Sequence, residues 1–162
     1  MSRPDAAPIL EPEELAELLR RRDDGSSVAL ANGCFDLLHL GHLRFLEAAA
    51  AEADLLVVGV NADATVTALK GPGRPVLPAD ERARLLAALR MVDFVTVFAE
   101  PTADRLIELL QPDVHCKGTD YATGTPEQAT ARRLGVRLAL VGGPKIRNTR
   151  DILASIREPR SP

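Results

Sequence analysis

The sequence predicts an α/β protein: one domain built on a five-stranded parallel sheet with helices on both faces. From residue 28 onward, short β-branched apolar runs alternate with helical patterns through five cycles, which is typical of a parallel sheet crossed by helices. Each run is almost continuously apolar, as expected for strands covered on both faces. A length of 162 residues fits one domain that needs neither disulfides nor a metal for stability.

The strands are predicted at five apolar runs, which are residues 28–31, 54–60, 94–98, 114–117 and 136–141. Helices are predicted between and after them, at residues 41–53, 80–90, 102–111, 126–134 and 148–157. The fourth helix has the clearest boundaries, because Thr125 is a good N-cap, Pro126 suits the first helical position and Gln128 completes a capping box. Gly135 then predicts its C-terminal end.

The segments that flank this core are predicted to be short. Residues 11–22 predict an amphipathic helix with Leu15, Leu18 and Leu19 on one face, followed by a polar linker. We expect residues 1–27 to be a helix and linker packed on the domain at residues 28–157. We expect residues 158–162 to be a frayed tail.

Composition favours a small-molecule substrate over a macromolecular one. The formal net charge is −3 and aromatic residues make up 3% of the chain, which argues against nucleic-acid binding. No apolar run approaches the ~20 residues of a membrane span, and the first residues lack an apolar signal-peptide core. We therefore expect a cytoplasmic protein with neither a nucleic-acid nor a membrane partner.

The two cysteines, Cys34 and Cys116, are far apart, and each lies beside strand-like sequence. This spacing predicts reduced, partly buried thiols and no disulfide. A helix N-terminus near Cys34 would lower its pKa. No neighbouring base in the sequence indicates a nucleophile, however.

Lysines are rare in this chain, since only Lys70, Lys117 and Lys145 are found among 20 basic residues. All three fall where we predict loops or strand ends. Their placement reflects either chance with a coding bias toward arginine, or the use of compact charges that contact phosphates. Residues 70–75 are rich in glycine and proline, and form either a stiff loop that holds cations over a site or a solvated turn.

The segment from Asn32 to His42 joins the first predicted strand to the helix that follows it. His39 and His42 are three residues apart, so both rings lie on one side of a helix that begins near Gly41. The first turn of a helix offers free N–H groups and the positive end of the helix dipole, which favour an anion. We expect Gly33 to adopt an unusual backbone angle and Gly41 to let a phosphate approach closely. The histidine pair alone would also fit a capped helix start or half of a zinc site.

Further polar residues are predicted to meet this segment at one edge of the sheet. Right-handed crossovers place the loops that follow parallel strands at the same edge, where ligands bind. The loops after the second, fourth and fifth strands carry the candidates, which are Asn61, Asp63 and Lys70; Gly118, Thr119, Asp120 and Tyr121; and Lys145, Arg147, Asn148, Thr149 and Arg150. The chain has neither a P-loop nor a Gly-x-Gly-x-x-Gly turn, so neither P-loop nor dinucleotide chemistry is indicated.

The string from Gly33 to His42 resembles the signature of the nucleotidyltransferase superfamily of the His-x-Gly-His type, which is cytidylyltransferase-like. The signature reads glycine, any residue, Phe-Asp, two residues and His-x-Gly-His, and it matches here without a gap. The resemblance implies a Rossmann-like sheet and associates the two histidines with the nucleoside triphosphate in the transition state.

Within this superfamily, the chain looks closest to the adenylyltransferases that make ADP-heptose from heptose 1-phosphate. Four stretches carry this resemblance, at residues 31–36, 60–63, 69–75 and 117–121. The chain departs at Ala31, where threonine is common. It also departs at residues 147–150, where a Ser/Thr-Thr pair is replaced by Arg-Asn-Thr-Arg.

The resemblance and the residue chemistry together define a candidate site. The catalytic candidates, which would stabilise charge on the phosphates, are His39, His42 and Lys70. The nucleotide-binding candidates are Gly33, Cys34, Phe35, Asp36, Gly41, Lys117, Gly118, Asp120, Asn148, Thr149 and Arg150. Asn148 is expected to cap the last helix. Arg82 is expected to be either structural or phosphate-facing.

The predicted function is the transfer of AMP from ATP to a sugar phosphate, in particular heptose 1-phosphate, with release of pyrophosphate. Mg²⁺ would arrive with the triphosphate, no protein metal site is predicted, and the resemblance implies a homodimer. One alternative is a cytidylyltransferase that uses CTP and a polyol or amino-alcohol phosphate. The other is a non-catalytic nucleotide-binding domain, although such a domain would be expected to lose a histidine or the lysines.

Overall fold

A computed structural model describes residues 6–144 and 146–157 of the chain. The predicted tail at residues 158–162 and the candidate Lys145 lie outside the described residues. Five strands are present, β1 (Val28–Gly33), β2 (Leu55–Asn61), β3 (Phe94–Phe98), β4 (Val114–Gly118) and β5 (Arg137–Val141). The helices are α1 (Pro12–Arg20), α2 (Leu40–Ala50), α3 (Asp63–Lys70), α4 (Ala79–Ala87), α5 (Asp104–Leu110), α6 (Gln128–Leu134) and α7 (Thr149–Arg157), with a 3₁₀ turn at Thr119–Tyr121.

The five strands form one parallel sheet in the order β3-β2-β1-β4-β5. The chain therefore builds outward from β1 in one direction through β2 and β3, and in the other through β4 and β5. The order reverses between β1 and β4, and ligands of such sheets bind in the crevice beyond the strand ends at this point. The predicted α/β class, the five-stranded parallel sheet and the Rossmann-like arrangement are confirmed.

Helices cover both faces of the sheet, and each face has its own apolar core. On one face, α2 and α4 pack against side chains such as Ala31, Val58 and Cys116. On the other face, α1, α5 and α6 pack around Leu30 and Val57. Successive residues of a strand point to opposite faces, so β1 and β2 each contribute to both cores.

Helix α1 packs on the α5 face of the sheet. Leu15 is fully buried and Leu19 packs against the same core, whereas Leu18 is 38% exposed, so the predicted apolar face is narrower than its periodicity indicated. A parallel bridge between Ile9 and Val95 adds the preceding residues to the sheet edge. Among the described residues, no helix has the length and apolarity required to cross a membrane.

Helix α3 was not predicted, and Lys70 lies in its last turn instead of in a loop. Thr65, Val66 and Thr67 are β-branched, which lowers helix propensity and hid the helix. Tertiary contacts stabilise it nevertheless, since Val66 is buried and the Thr65 hydroxyl donates to the Ala99 carbonyl at 2.5 Å. The helix ends at Gly71, whose φ of 94° lies in the left-handed region.

The predicted start of α6 is wrong. The helix begins at Gln128, residues 126–127 form a turn, and the Thr125 hydroxyl is buried without a hydrogen bond among the described residues. The Glu127 side chain reaches instead to the Ala103 N–H, a contact across the fold that no local capping rule anticipates. Gly135 does end the helix, as predicted, with a φ of 71°.

Candidate active site

A cavity of about 630 Å³ opens at the carboxyl ends of β1 and β4. It brings together segments that follow all five strands, including the four that the crossover rule predicted and the segment after β3 with Pro101 and Thr102. The catalytic candidates that border it are His39, His42 and Lys70, and the nucleotide-binding candidates that border it are Gly33, Cys34, Phe35, Asp36, Gly41, Lys117, Gly118, Asp120, Asn148, Thr149 and Arg150. Asp63 does not border the cavity and pairs with Arg82 instead. We call the region around the start of α2 the α2 side, and the region of Asn32, Thr102, Lys117 and Glu127 the α5–α6 side.

The two histidines lie stacked at the N-terminus of α2. Their ring centroids are 3.8 Å apart with an interplanar angle of 22°, and the Phe35 ring contacts His42 edge-on at 5.4 Å. His39 is the N-cap residue, and its Nδ1 accepts a hydrogen bond from the Gly41 N–H at 3.1 Å. A neutral imidazole that accepts at Nδ1 carries its proton at Nε2, which makes Nε2 of His39 a donor.

The glycines of the signature are needed for packing within the protein, and the approach of a phosphate at Gly41 stays a prediction. A Cβ on Gly41 would lie 2.9 Å from Cε1 of His39 and 3.2 Å from the Arg147 carbonyl oxygen, so its absence gives space to the histidine ring and to the chain before α7. Gly33 pairs regularly in β1, and a Cβ there would meet the Phe35 ring at 3.3 Å. The left-handed angles belong to Phe35 (φ 47°) and Leu37 (φ 54°), which corrects the expectation for Gly33.

Asp36 holds the loop that precedes α4. Its carboxylate is buried and accepts hydrogen bonds from Arg74 Nε at 2.6 Å and from the backbone N–H groups of Val76 and Leu77 at 3.0 and 3.1 Å. Burial opposes ionisation, but the hydrogen bonds from Val76, Arg74 and Leu77 outweigh it and lower the pKa of Asp36. The carboxylate is therefore fully engaged by groups of the protein itself.

Arg82 is structural, which resolves the ambiguity left by the sequence. Its side chain is fully buried in α4. The guanidinium donates to the Cys34 and Asn61 carbonyls at 2.6 and 2.8 Å, and pairs with Asp63 at 2.7 Å; it also donates to the Leu77 carbonyl at 2.9 Å. One buried cation thus joins the ends of β1 and β2 to α3 and α4.

The cysteines are free thiols, with Cys116 buried and Cys34 half-buried. Burial raises the pKa of Cys34, and the nearby positive charges of Lys70 and Arg82 only partly oppose it. This corrects the expectation that the helix N-terminus would lower that pKa. Burial also raises the pKa of Cys116 to about 12. Neither sulfur has the environment of a nucleophile.

The start of α7 closes the α2 side of the cavity. Asn148 caps the helix as predicted, since its Oδ1 accepts from the Asp151 N–H at 2.9 Å. The Thr149 hydroxyl donates to the Asp36 carbonyl at 2.7 Å, which ties α7 to the loop after β1. The side chain of Arg150 is exposed beside this contact. Lys70 lies across the cavity and is also exposed.

The α5–α6 side contains residues that sequence reasoning missed. Glu127 is 2% exposed and lies 3.5 Å from Lys117 Nζ through its Oε2. Lys117 also lies over the Tyr121 ring, 4.6 Å from the centroid. Below them, Nε2 of the fully buried His115 is 2.8 Å from Asn32 Oδ1. A polar residue inside an apolar strand was the available signal for His115, whereas Glu127 reaches the site only through tertiary packing.

Gly118 and Asp120 follow β4 at the rim. A Cβ on Gly118 would lie 2.5 Å from Asp120 Oδ1, so the glycine allows the carboxylate to fold back over the strand end. The Thr119 hydroxyl donates to the Gly143 carbonyl at 2.7 Å and joins this turn to the segment after β5. Within residues 6–144 and 146–157, no group of three His, Cys, Asp or Glu side chains is placed to hold a metal ion.

Comparison with known proteins places the chain among nucleotidyltransferase-like proteins. Residues 30–152 match the family described as cytidylyltransferase-like. The chain is 44% identical over 147 residues to the bifunctional protein HldE of Syntrophotalea carbinolica, and the match covers 88% of this chain and 29% of the relative. A second HldE, from Azotobacter vinelandii, is 54% identical over 97 residues, which are 60% of this chain and 20% of that protein. The chain thus spans less than a third of the length of these relatives.

Solved structures agree with this assignment. The lipopolysaccharide core biosynthesis protein of Thermoplasma volcanium is 28% identical with a TM-score of 0.61, over 72% of this chain and 97% of that protein. Pantothenate synthetase of Thermus thermophilus shares the fold, with a TM-score of 0.60 at 20% identity over 87% of this chain and 63% of that one. With the signature, the parallel sheet and a family match over most of its length, the chain belongs to the cytidylyltransferase-like family.

Proposed function

We propose that this chain transfers AMP from ATP to a sugar phosphate, heptose 1-phosphate in particular, and releases pyrophosphate. The observation that carries the proposal is the stacked His39 and His42 pair at the N-terminus of α2, open to a cavity at the switch point of the sheet. Helix N-termini bind phosphate through free N–H groups and the helix dipole. The resemblance to ADP-heptose-forming enzymes and the HldE relatives support the choice of substrates.

In the proposed reaction, an oxygen of the acceptor phosphate attacks the α-phosphorus of ATP. A bond forms between that oxygen and phosphorus, the bond to the oxygen bridging the α and β phosphorus atoms breaks, and pyrophosphate leaves. Phosphoryl chemistry of this kind depends on positioning and charge stabilisation. The Nε2–H of His39 and the ring of His42 would stabilise the negative charge that develops, and Mg²⁺ enters as part of the triphosphate substrate.

The cations around the cavity are not equivalent in this scheme. Lys70 and Arg150 are exposed and would meet the phosphates from two sides. Lys117 is buried and already faces the Glu127 carboxylate at 3.5 Å, so much of its charge is balanced before a phosphate arrives. Lys117 therefore fits the phosphates less well than its position at the strand end indicated.

A cytidylyltransferase acting on a polyol or amino-alcohol phosphate is the second candidate function. It is favoured by the description of the matching family as cytidylyltransferase-like. A nucleotide-binding domain without activity is less well supported, because both histidines and Lys70 border the cavity. A homodimer and a cytoplasmic location stay predictions, and light scattering would test the first.

The deciding experiment is a pyrophosphate-release screen that crosses ATP and CTP with sugar, polyol and amino-alcohol phosphates. The proposal predicts the fastest release with ATP and heptose 1-phosphate. A CTP rate equal to or above the ATP rate with every acceptor would select the second candidate. Nucleotide binding without pyrophosphate release from any pair would select the non-catalytic domain.

A further inference from the structure

On the α5–α6 side of the cavity, two buried polar atoms, Glu127 Oε2 and His115 Nδ1, make no hydrogen bond among the described residues. Oε1 of Glu127 accepts from the Ala103 N–H at 3.1 Å. Its Oε2 is buried and makes no hydrogen bond within the described part of the chain, and Glu127 is one of the residues that line the cavity. Buried carboxylate oxygens without hydrogen bonds are costly. This atom therefore fits a partner that enters with a ligand.

The neighbouring groups restrict the chemistry of that ligand. The ammonium group of Lys117 only donates hydrogen bonds, and an ionised carboxylate only accepts them. Asn32 uses its Oδ1 toward His115, which leaves its amide NH₂ as a donor at the cavity wall. A hydroxyl group both donates and accepts, so it satisfies an acceptor and a donor at once. A phosphate only accepts and would be repelled by Glu127.

The spacing of Glu127 and Lys117 also fits a hydroxyl oxygen. Oε2 and Nζ are 3.5 Å apart, which is longer than a good charge-assisted hydrogen bond. A hydroxyl oxygen can lie about 2.8 Å from both atoms. It would then donate a hydrogen bond to the Glu127 carboxylate and accept one from the Lys117 ammonium. Both residues line the cavity, so a ligand hydroxyl would reach this pair from there.

The geometry points to a hydroxyl-binding subsite for the acceptor, formed by Glu127, Lys117 and Asn32 on the face of the sheet opposite to α2. Leu30 of β1 pairs with His115 of β4 and belongs to the core under α5 and α6. Residues two apart in a strand point to the same face, so Asn32 and Lys117 lie on that face as well. The histidines and the start of α7 lie on the α2 side. In this arrangement the hydroxyl groups of the acceptor bind on the α5–α6 side, and the triphosphate binds on the α2 side. This inference rests on the proposed function and adds a specificity-determining residue, Glu127.

The first test compares wild type with Glu127→Gln, using heptose 1-phosphate and ATP. The variant keeps an oxygen for the Ala103 N–H but turns the other atom into a donor beside Lys117. A hydrogen bond made equally in the ground and transition states affects KM and leaves kcat unchanged. We expect the KM for the acceptor and its calorimetric Kd to rise about tenfold or more, with kcat and the KM for ATP within about twofold.

Glu108→Gln is the matched control. Glu108 is an exposed carboxylate of α5 that pairs with Arg133 of α6, so the control removes a charge between the same helices without touching the cavity. It should leave both KM values unchanged. An unchanged acceptor KM in folded Glu127→Gln would overturn the subsite, and so would an equal rise in the KM for ATP.

The second test needs no variant and separates the two possible sources of the hydroxyl group. Wild type is assayed with singly deoxygenated sugar phosphates and with 2′-deoxy-ATP. The subsite predicts that one deoxygenated acceptor loses about tenfold or more in kcat/KM. It also predicts that 2′-deoxy-ATP keeps a kcat/KM within about twofold of that of ATP. Loss confined to 2′-deoxy-ATP would assign the carboxylate to the ribose and refute the proposal. If wild type transfers AMP to no acceptor, the proposed function fails, and this inference fails with it.

Discussion

The two sides of the cavity differ in how completely hydrogen bonds satisfy their buried charged groups. On the α2 side, Asp36 accepts three hydrogen bonds and Arg82 donates to three carbonyls and a carboxylate. On the α5–α6 side, Glu127 Oε2 and His115 Nδ1 are buried without hydrogen bonds among the described residues. The buried ions that anchor the first side are satisfied within the fold, whereas the buried carboxylate of the second side can accept a further hydrogen bond.

This difference corresponds to two different requirements. A group that stabilises developing charge must be held in place before the substrate arrives, and the anchors at Asp36 and Arg82 hold the loop that carries His39. A site that selects an acceptor gains discrimination when the ligand itself satisfies polar atoms that would otherwise be left unpaired. The predictions below break the first side and then sharpen the contrast with the second.

Replacing Arg82 by Ala should have the largest effect, because it leaves three carbonyls and Asp63 without their shared donor. Removal of one partner from a buried charged network typically costs about 3 to 5 kcal/mol, a large part of the stability of an ordinary domain. Urea unfolding measures it. Arg84→Ala, an exposed position of the same helix, is the control and should change the free energy of unfolding by less than about 0.5 kcal/mol. Equal stability of the two variants would show that the anchor is not needed.

Replacing His42 by Ala should leave the fold intact and reduce turnover by about two orders of magnitude, since one preorganised donor to a developing charge is worth ~3 kcal/mol. Single-turnover rates with ATP and the acceptor measure this loss, and circular dichroism checks folding. Near-wild-type turnover would sink the role of the α2 side. A matching loss of stability would instead make His42 a structural residue.

The fold was readable from the sequence because each strand is a distinct apolar run and most connections have recognisable ends. The features that the sequence analysis missed are determined by contacts between residues far apart in the chain. Helix α3 contains β-branched residues and is held by Val66 and by Arg82 from another helix. The start of α6 shifts because Glu127 is drawn toward Ala103.

The candidate site shows the same division. The string from Gly33 to His42 has a local signature, so its residues were found, but the reasons for its glycines depend on the ring positions of Phe35 and His39. Sequence spacing located Lys117 at the cavity, yet the carboxylate that balances it lies ten residues later and arrives through the packing of α6. Pairings of this kind follow from the assembled sheet and have no periodicity to reveal them.

The α5–α6 side should destabilise the protein in a pH window of its own. Burial lowers the pKa of His115 from 6.5 to about 4, with Glu127 opposing and Lys117 adding to the effect. The unfolded chain therefore takes up a proton near pH 6.5 that the folded chain refuses until about pH 4. The contribution to the free energy of unfolding is complete above pH 6.5. It falls by on the order of 3 kcal/mol as the pH decreases from 6.5 to about 4.

The variant His115→Gln keeps a donor for Asn32 and removes this titration, so its stability should fall less between those two pH values. Asp36 does not affect this comparison. Its pKa is lowered in the folded protein, so the stability that depends on its ionisation is lost only at lower pH. Urea unfolding of both proteins at a series of pH values measures the difference. Parallel curves for wild type and variant would contradict the assignment.

The smallest effect of a substitution is expected at Arg150, on the α2 side of the cavity. Here the sequence departs from the Ser/Thr-Thr pattern of the family it resembles. Asn148 still caps α7 and Thr149 keeps one hydroxyl, although that hydroxyl donates to the Asp36 carbonyl. An exposed arginine in the first turn would then add the charge that a lost hydroxyl lacked. Arg150→Ala should weaken the binding of ATP several-fold, which is about 1 kcal/mol. It should hardly change the binding of AMP, because AMP lacks the terminal phosphates. Calorimetric titration of both nucleotides decides this, since a solvated arginine outside the site would leave both affinities unchanged, and an equal loss for both would place the contact at the α-phosphate.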